Sequence, residues 1–429
     1  RALEYFNKIQ LLGDVPWLEV DLNVDSEELY GPKMKRNQVF QKIIEDLDFA
    51  IQWLPEAGSE EANRLNKDIA RHVKARFCLN EGTHYKYHDE LEYASEAEKW
   101  LQMAATESDK LITSGRYEIY NTGHPQEDYF NMYRIDDKSD LKEAVLYVDY
   151  KTNIREHNMA AAGREAGCGF SKSFVESFLC SDGLPISLSN KYLGDETMRK
   201  ETANRDPRLK QLILTNDFPT NVTDDLKDST FVVNEDEFIT QHCFTGYRPI
   251  KGFNPIYSQA LYMKSSFDGI AYRYAETLLI NAEAKAELNT ITNADLDRTV
   301  NQLRDRVGMP HLTVNVGFTD PKWPDWGYSL SPVLQEIRRE RCIELAGEGF
   351  RFNDLKRWKA GKLLNNVLTY VGKRKPDGNL AIVYPNYTNP DLSYQAGKSR
   401  TWEDKMYLYP IPTGELQRNP QLLPQNPGW

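Results

Sequence analysis

The sequence predicts a mainly α-helical fold in which two helical blocks enclose a loop-rich insert containing a few short strands. Two observations predict this fold class. Apolar residues recur every three or four positions in segments of the first quarter of the chain and again after residue 270. Between these blocks, Pro, Gly, Asn and Asp interrupt short apolar runs, which is typical of loops and short strands.

The first helical block consists of three amphipathic segments, at residues 37–54, 68–82 and 94–112. Pro55 ends the first segment because proline cannot continue a helix, and Gly115 ends the third. Small alanine residues occur where helices must approach closely, as in helix-turn-helix repeats, although no regular sequence period is present. We therefore expect a tetratricopeptide-like helical repeat scaffold, an α/α superhelix.

The insert and the second block follow in order along the chain. Short apolar runs predict strands at residues 144–148, 212–214 and 231–233. Helical periodicity returns at residues 271–288, 294–307, 334–346 and 352–364. The expected organisation is a single unit over 1–429, with helical repeats at 1–122, a loop-rich insert at 123–268, helical repeats at 269–365 and an irregular C-terminal segment at 366–429.

Composition excludes two classes of protein. The mean hydropathy of −0.64 leaves no room for a spanning segment. A formal charge of −11, without a cluster of Lys and Arg among aromatic residues, argues against a nucleic-acid partner. The 5 cysteines are an odd number at irregular spacing, so neither a disulfide framework nor a thiolate zinc site is indicated.

The most specific motif is LQEIRRERCIELAGEGFRFNDLKRWKAGKLL at residues 334–364. Glutamates alternate with arginines at helical spacing along its first half, and the Gly347 and Gly349 positions then break the helix. We expect these charges to be structural, because carboxylates and guanidinium groups at this spacing pair with each other and with neighbouring helices. The motif closely resembles the signature of the SusD/RagB family.

Further stretches match the same family in the expected order along the chain. They are YFNKIQLLGDVPWLE near the start, KARFCLNEGTHYKYH at 74–88, SDGLPI at 181–186, YRYAETLLINAEAKAEL at 272–288 and DKMYLYPIPTGELQRNPQLLPQNPGW at the end. Members of the family usually carry an additional N-terminal region that begins with a lipoprotein signal and an acylated cysteine. Arg1 is followed at once by Ala-Leu-Glu-Tyr-Phe, so we expect this chain to be truncated at its N-terminus and its lipid anchor to be absent.

The resemblance implies a function as well as a fold. It implies a surface-exposed lipoprotein of the outer membrane that binds oligosaccharide or polysaccharide without catalysis. The resemblance also implies a partner, a SusC-like TonB-dependent transporter to which the ligand is delivered, and no cofactor or metal. Some members of the family bind peptides, so a RagB-like peptide-binding role stays open.

Sugar recognition needs flat aromatic rings and planar polar groups, so loop aromatics are the candidate ligand contacts. The first candidate cluster is Trp323, Trp326 and Tyr328 in the segment DPKWPDWGYSL. The alternative is that these rings close the entry to the following helix. The second cluster precedes residue 272, where Tyr247 and Tyr257 are favoured because they carry hydroxyl groups and lie beside polar residues.

Rival chemistries have weaker support in the sequence. His84 and His88 have the spacing of metal ligands on a helix, but the glutamate that would follow the first histidine in a zinc protease is replaced by Tyr85. An acidic run at 136–140 lacks the spacing of a calcium loop. A glycoside hydrolase remains open, because two carboxylates brought together by folding leave no motif, and so does a helical-repeat adaptor that binds only protein.

Overall fold

The chain begins with four packed helices, α1 (Ala2–Leu12), α2 (Arg36–Trp53), α3 (Lys67–Tyr87) and α4 (Ala94–Thr113). The structure is a computed structural model that describes residues 1–59, 63–159, 169–240, 242–382 and 400–429. Asn66 begins α3, because its side-chain oxygen accepts hydrogen bonds from the first free backbone N–H groups of the helix. The three helices predicted for this block are confirmed.

Close packing of α3 against α4 depends on a glycine in the middle of α3. A Cβ atom added to Gly82 would lie 2.9 Å from Leu101 Cγ and 3.0 Å from the Leu101 backbone nitrogen of α4. Aromatic rings fill the remaining space, with Phe6 stacked on Phe77 at 3.6 Å between ring centroids. One apolar core therefore joins α1, α2, α3 and α4.

The insert contains short helices and strands. Its helices are α5 (Asp128–Met132), α6 (Lys172–Ser177), α7 (Met198–Thr202) and α8 (Arg208–Leu212). Its strands are β1 (Ala144–Val148), β2 (Pro219–Val222), β3 (Ser229–Phe231) and β4 (Gly269–Arg273). Antiparallel pairs join β1 to β4 and β2 to β3.

Only one of the strands predicted for the insert has the predicted bounds. β1 matches the prediction, and β3 ends at Phe231, where the prediction began. The strand predicted at 212–214 is wrong, because Leu212 ends α8 and Ile213 forms only an isolated bridge to Pro249. An apolar run this short is buried equally well at a helix end.

The second helical block contains α9 (Tyr274–Glu287), α10 (Asn293–Asp297), α11 (Val300–Arg306), α12 (Pro332–Glu344) and α13 (Arg351–Arg357). The helix predicted at 294–307 is divided in two, because Thr299 departs from helical backbone angles. The helix predicted at 352–364 ends early, because Lys359 has a positive φ of 49°, and a 3-10 turn follows at Gly361–Asn365. Strands β5 (Val371–Arg374) and β6 (Leu380–Ile382) and helix α14 (Thr413–Arg418) complete the described chain.

Helix α9 connects the two helical blocks. Ile280 and Ala284 of α9 belong to the core of the first block, whereas Leu278 and Leu279 belong to a second core with Ile337 of α12. A helix buried on nearly every side loses the amphipathic pattern of a surface helix. The mainly helical fold class is confirmed, and the four segments proposed from the sequence remain a prediction about organisation.

The charged residues of α12 form a buried network that ties the insert to the second block. Glu344 accepts hydrogen bonds from Arg273 and Arg306 at 2.6 Å each and from Arg208 at 3.0 Å. Arg338 pairs with Glu287 of α9 at 2.9 Å. The predicted pairing of these charges is therefore confirmed, mostly between elements rather than along the helix.

Two general features concern the described residues alone. None of their helices has the length and apolar character needed to span a bilayer. Cys78, Cys180, Cys243 and Cys342 are free thiols, and Cys168 lies outside the described residues.

Candidate ligand-binding site

A cleft of about 660 Å³ lies between the helical scaffold and the insert. Helices α1, α3, α9, α12 and α13 form one wall, and segments of the insert form the other. We call this feature the interblock cleft. It is lined by Leu3, Phe6, Asn7, Gln10, Arg76, Phe77, Leu79, Asn80, Ile280, Arg341, Gly347, Glu348, Gly349, Phe350, Asn353, Asp354 and Arg357 of the scaffold, and by Tyr133, Met159, Phe170, Pro249, Lys251, Gly252, Phe267, Asp268, Gly269, Ile270 and Ala271 of the insert.

Aromatic rings are exposed in part on both walls of the interblock cleft. Phe350 and Phe170 are half-buried and lie on opposite walls. The guanidinium carbon of Arg76 lies 5.0 Å from the Phe350 ring centroid, and that of Arg341 lies 5.4 Å from it. An aromatic ring with two guanidinium groups near it combines an apolar surface with polar groups beside it.

Three side-chain amides of the cleft have no hydrogen-bond partner among the described residues. They belong to Asn7 of α1, Asn80 of α3 and Asn353 of α13. Each amide offers two donors and one acceptor. Because the three residues come from separate helices and line one cavity, they can bind the same ligand.

The polar floor of the cleft is a network of paired charges. Lys251 donates to Glu348 at 2.6 Å and to the Ala346 carbonyl at 2.8 Å. Burial lowers the pKa of Lys251 to about 8, although Glu348 opposes this change. Burial would raise the pKa of Glu348, but Arg273 and Lys251 outweigh burial and lower it. This floor holds the insert against the loop after α12.

A segment with exposed tyrosines, at residues 257–262, comes shortly before the cleft residues 267–271 in the chain. Tyr257 is 50% exposed and Tyr262 is 72% exposed. The following residue, Met263, donates its backbone N–H to Asn158, next to the cleft residue Met159. Tyr257 was selected from the sequence, and its exposed ring leaves it a candidate ligand contact.

Tyr247 lies in the core of the insert and not on a surface where it could contact ligand. Its side chain is fully buried, and its hydroxyl lies 2.8 Å from Glu201 Oε1, to which it donates. Burial raises the pKa of Tyr247 well above its usual value. The prediction that Tyr247 contacts ligand is wrong for this structure, because the ring belongs to the core of the insert.

Two of the remaining predicted residues, Trp326 and Tyr328, line a second concavity of about 770 Å³ at the C-terminal ends of α3 and α9. Trp326 is only 6% exposed and donates its indole N–H to Gln335 of α12. Tyr328 stacks on Tyr87 at 4.4 Å and donates to the Trp358 carbonyl. Trp323 donates to Glu336 and lies outside this concavity.

These contacts favour the alternative role for the tryptophan segment. Both indole N–H groups bind the first turns of α12, so the rings fix the entry to that helix. Trp326 also packs edge-on against Trp358 at 5.4 Å. Ligand contact by Trp323, Trp326 and Tyr328 stays a prediction that no contact in the structure tests.

The histidines considered as metal ligands have protein partners. His88 Nδ1 is 2.9 Å from Glu90, and its Nε2 is 2.8 Å from the Lys356 carbonyl. His84 stacks on His88, and burial lowers the pKa of His84 well below its usual value. Among the residues that the structure describes, no group of three or more His, Cys, Asp and Glu is arranged to hold a metal ion.

Sequence reasoning missed Asn7, Asn80 and Asn353. Asparagine on a helix has no pattern that separates a ligand contact from an ordinary surface residue. A signal is nevertheless present, because asparagine is a weak helix former and each of these three lies within a helix. Their convergence becomes visible only in three dimensions.

The fold defines a mainly helical protein with a cleft between its helical scaffold and its insert. The chain belongs to the SusD family, whose sequence profile matches residues 109–429. The SusD-like protein P2 of Formosa agariphila is 25% identical, over 100% of this chain and 72% of that protein. The resemblance to the SusD/RagB family is confirmed.

Solved structures agree with the family assignment. A SusD-like protein of Bacteroides fragilis superposes with a TM-score of 0.73 at 25% identity, covering 100% of this chain and 78% of that one. A SusD-like carbohydrate binding protein of the same species gives 0.71 at 22% identity, covering 99% and 78%. The surface glycan-binding protein A of Bacteroides fluxus gives 0.56 at 16% identity, covering 100% and 76%, and shares the fold.

Proposed function

We propose that this protein binds oligosaccharide or polysaccharide at the cell surface and delivers it to a SusC-like TonB-dependent transporter. Membership of the SusD family supports this role. Relatives of the same fold are described as carbohydrate-binding or glycan-binding proteins, which favours a glycan as the ligand.

One structural observation carries the proposal. Exposed tyrosines at 257 and 262 precede the cleft residues 267–271 in the chain, and the side-chain amides of cleft residues 7, 80 and 353 have no partner among the described residues. Aromatic faces pack against the C–H groups of sugar rings, and planar amides hydrogen-bond to hydroxyl pairs. The arrangement therefore supplies both kinds of contact that a glycan needs.

We further propose that binding occurs without catalysis. A glycosidase needs one carboxyl group kept protonated near neutral pH, facing a second carboxylate across the sugar. In the interblock cleft, guanidinium groups outweigh burial and lower the pKa of Glu348 and Asp354. Burial raises the pKa of Glu201 and Glu336, but neither lines the cleft. The charge arrangement thus favours binding over hydrolysis.

The cellular setting follows from the family. We propose that the protein acts at the outer surface of the outer membrane, held there by a lipid anchor. The helical scaffold would then face the transporter and the insert would hold the ligand. Separation of the inner and outer membranes of lysed cells carrying a tagged copy on a density gradient, without detergent, tests this location.

The function is tested by isothermal titration of the purified protein against soluble plant and host polysaccharides. We expect saturable binding to at least one polysaccharide without release of reducing ends. Replacing both rings in Tyr257→Ala/Tyr262→Ala should weaken that binding at least about tenfold, because burying one large apolar side chain is worth roughly 1.5–3 kcal/mol.

Tyr30→Ala is the matched control, since Tyr30 is 51% exposed but does not line the cleft. Equal loss in the control and the double variant would mean that the tyrosines at 257 and 262 are not the site. Reducing ends that accumulate in proportion to protein would overturn the non-catalytic assignment. Binding of oligopeptides but of no glycan would favour the peptide-binding alternative.

A further inference from the structure

Among the described residues of the interblock cleft, guanidinium donors lack hydrogen-bond partners, whereas the carboxylate oxygens do not. Arg76 uses Nε and Nη2 on Glu276, and its Nη1 has no partner among the described residues. Arg341 is 4% exposed and uses Nε on Asp354, whereas its Nη1 is buried without a hydrogen bond. Two guanidinium groups in one cleft therefore each keep an unused NH2 donor.

The carboxylates of the cleft have no comparable unused capacity. Asp268 accepts the Tyr150 N–H on one oxygen and the Lys138 N–H on the other. Glu348 accepts from Lys251 and Arg273, and Asp354 accepts from Arg341 and Arg357. Every one of these oxygens thus already receives a protein donor.

An unpaired buried guanidinium nitrogen is costly, and the group that satisfies it best is an anionic oxygen. Arg76 and Arg341 both lie close to Phe350, with guanidinium carbons 5.0 and 5.4 Å from its ring centroid. Asn80 lies one helical turn after Arg76 on α3, so its free amide adds a further donor on the same side. The unpaired donors of Arg76, Arg341 and Asn80 therefore lack hydrogen-bond acceptors.

We infer that the interblock cleft selects acidic glycans, whose carboxylate or sulfate groups bind at Arg76 and Arg341. The inference rests on the proposed glycan-binding function and names the ligand class within it. The overall charge of −11 repels such ligands, so their recognition must come from these local donors rather than from the field of the whole protein.

The test uses polymer pairs that differ only in charge. Polygalacturonate and its fully methyl-esterified form test a carboxylate, and dextran sulfate and dextran test a sulfate ester. Titration at low and moderate salt should show at least about tenfold tighter binding of one charged polymer than of its neutral partner, with an advantage that shrinks as salt rises.

A charge placed in the cleft locates the effect. Asn80→Asp should reduce the affinity for the charged polymer at least about tenfold, because a carboxylate beside Arg76 competes for it. The side-chain amide of Asn80 has no hydrogen-bond partner among the described residues, so the change removes no side-chain bond. Asn315→Asp adds the same charge at an exposed position outside the cleft and should leave the affinity unchanged.

The outcomes separate the inference from the function on which it rests. Equal affinity for charged and neutral partners, or equal loss in the Asn80 and Asn315 variants, overturns acidic selectivity. If a neutral polysaccharide binds and all charged polymers fail, the glycan-binding function stands and the acidic class is wrong. If no glycan of either experiment binds, both fail.

Discussion

At the scale of single residues, Glu344 carries a buried negative charge that three arginines share. Its carboxylate is fully buried and faces the guanidinium groups of Arg208, Arg273 and Arg306. Burial would raise the pKa of Glu344, but these arginines hold it well below its usual value. Removing this one charge takes a carboxylate partner from three buried cations at once, which then pair only with their other acidic neighbours.

We therefore expect Glu344→Gln to lower the free energy of unfolding by about 3–5 kcal/mol, the usual cost of breaking a buried ion pair. Urea unfolding followed by circular dichroism measures the change. Glu415→Gln removes an exposed carboxylate paired with Arg418 and should change stability little. Similar stabilities of the two variants would contradict the structural role of the α12 network.

Residue-scale function was only partly predictable from the sequence. Tyr247 and Tyr257 have similar sequence surroundings, yet the first is fully buried and the second is half exposed. The difference arises because Glu201, distant in sequence, accepts the Tyr247 hydroxyl and draws that ring into the core. Contacts between distant residues leave no local pattern, and the amides of Asn7, Asn80 and Asn353 were missed for the same reason.

At the scale of elements, the distance between α3 and α4 is set by the absence of a side chain. Gly82 lies at their contact, where the Leu101 side chain and backbone occupy the space of a Cβ. Alanine is the better helix former by about 1 kcal/mol, so intrinsic propensity and packing oppose each other here. Packing should win, because the obstructing atoms include the α4 backbone.

We therefore expect Gly82→Ala to lower the free energy of unfolding by about 1–3 kcal/mol, the usual cost of overpacking. The thermal midpoint of unfolding should fall accordingly. Gly414→Ala in α14 is the paired variant, since nothing lies within 4 Å of its added Cβ. There the change should be neutral or slightly stabilising. A stable Gly82 variant would show that the two helices separate at little cost.

Elements were predictable where periodicity was long. The segments at 37–54, 68–82 and 94–112 had several turns of apolar spacing and form α2, α3 and α4. Unusual backbone angles at single residues were not predictable. An example is the positive φ of Lys359, which ends the helix predicted at 352–364 early. Short apolar runs were ambiguous, because a run of three residues fits a strand or the end of a helix equally well.

At the scale of the whole molecule, many carboxylates are held ionised by basic partners. Burial would raise the pKa of Glu276, Glu287 and Asp354, but arginine and other donors lower it in each case. Partial burial also opposes ionisation of Asp195, yet Arg374 and Lys172 lower its pKa to about 2. A carboxyl group with a lower pKa in the folded state contributes stability above its unfolded pKa and loses it on acidification.

We expect the free energy of unfolding to fall steadily as pH decreases from about 5 toward 2, since the unfolded chain binds more protons across that window. Urea titrations at several pH values measure the slope. Asp195→Asn removes one contributor, so its slope should be shallower than that of the unaltered protein. Stability that is constant or rises on acidification would contradict the assigned ion pairs.

The antiparallel pairing of Val148 with Gly269 has a consequence for how proteins with this fold diverge. The chain leaves the scaffold and returns to it at neighbouring points, so the two ends of the long segment between Val148 and Gly269 lie close together. Because the entropic cost of closing a loop grows only slowly with its length, residues can be added to or removed from this segment with little effect on the helices. Exchange of this segment would replace most of the insert wall of the interblock cleft, whereas the scaffold wall, which carries Arg76, Asn80 and Arg341, would be inherited intact.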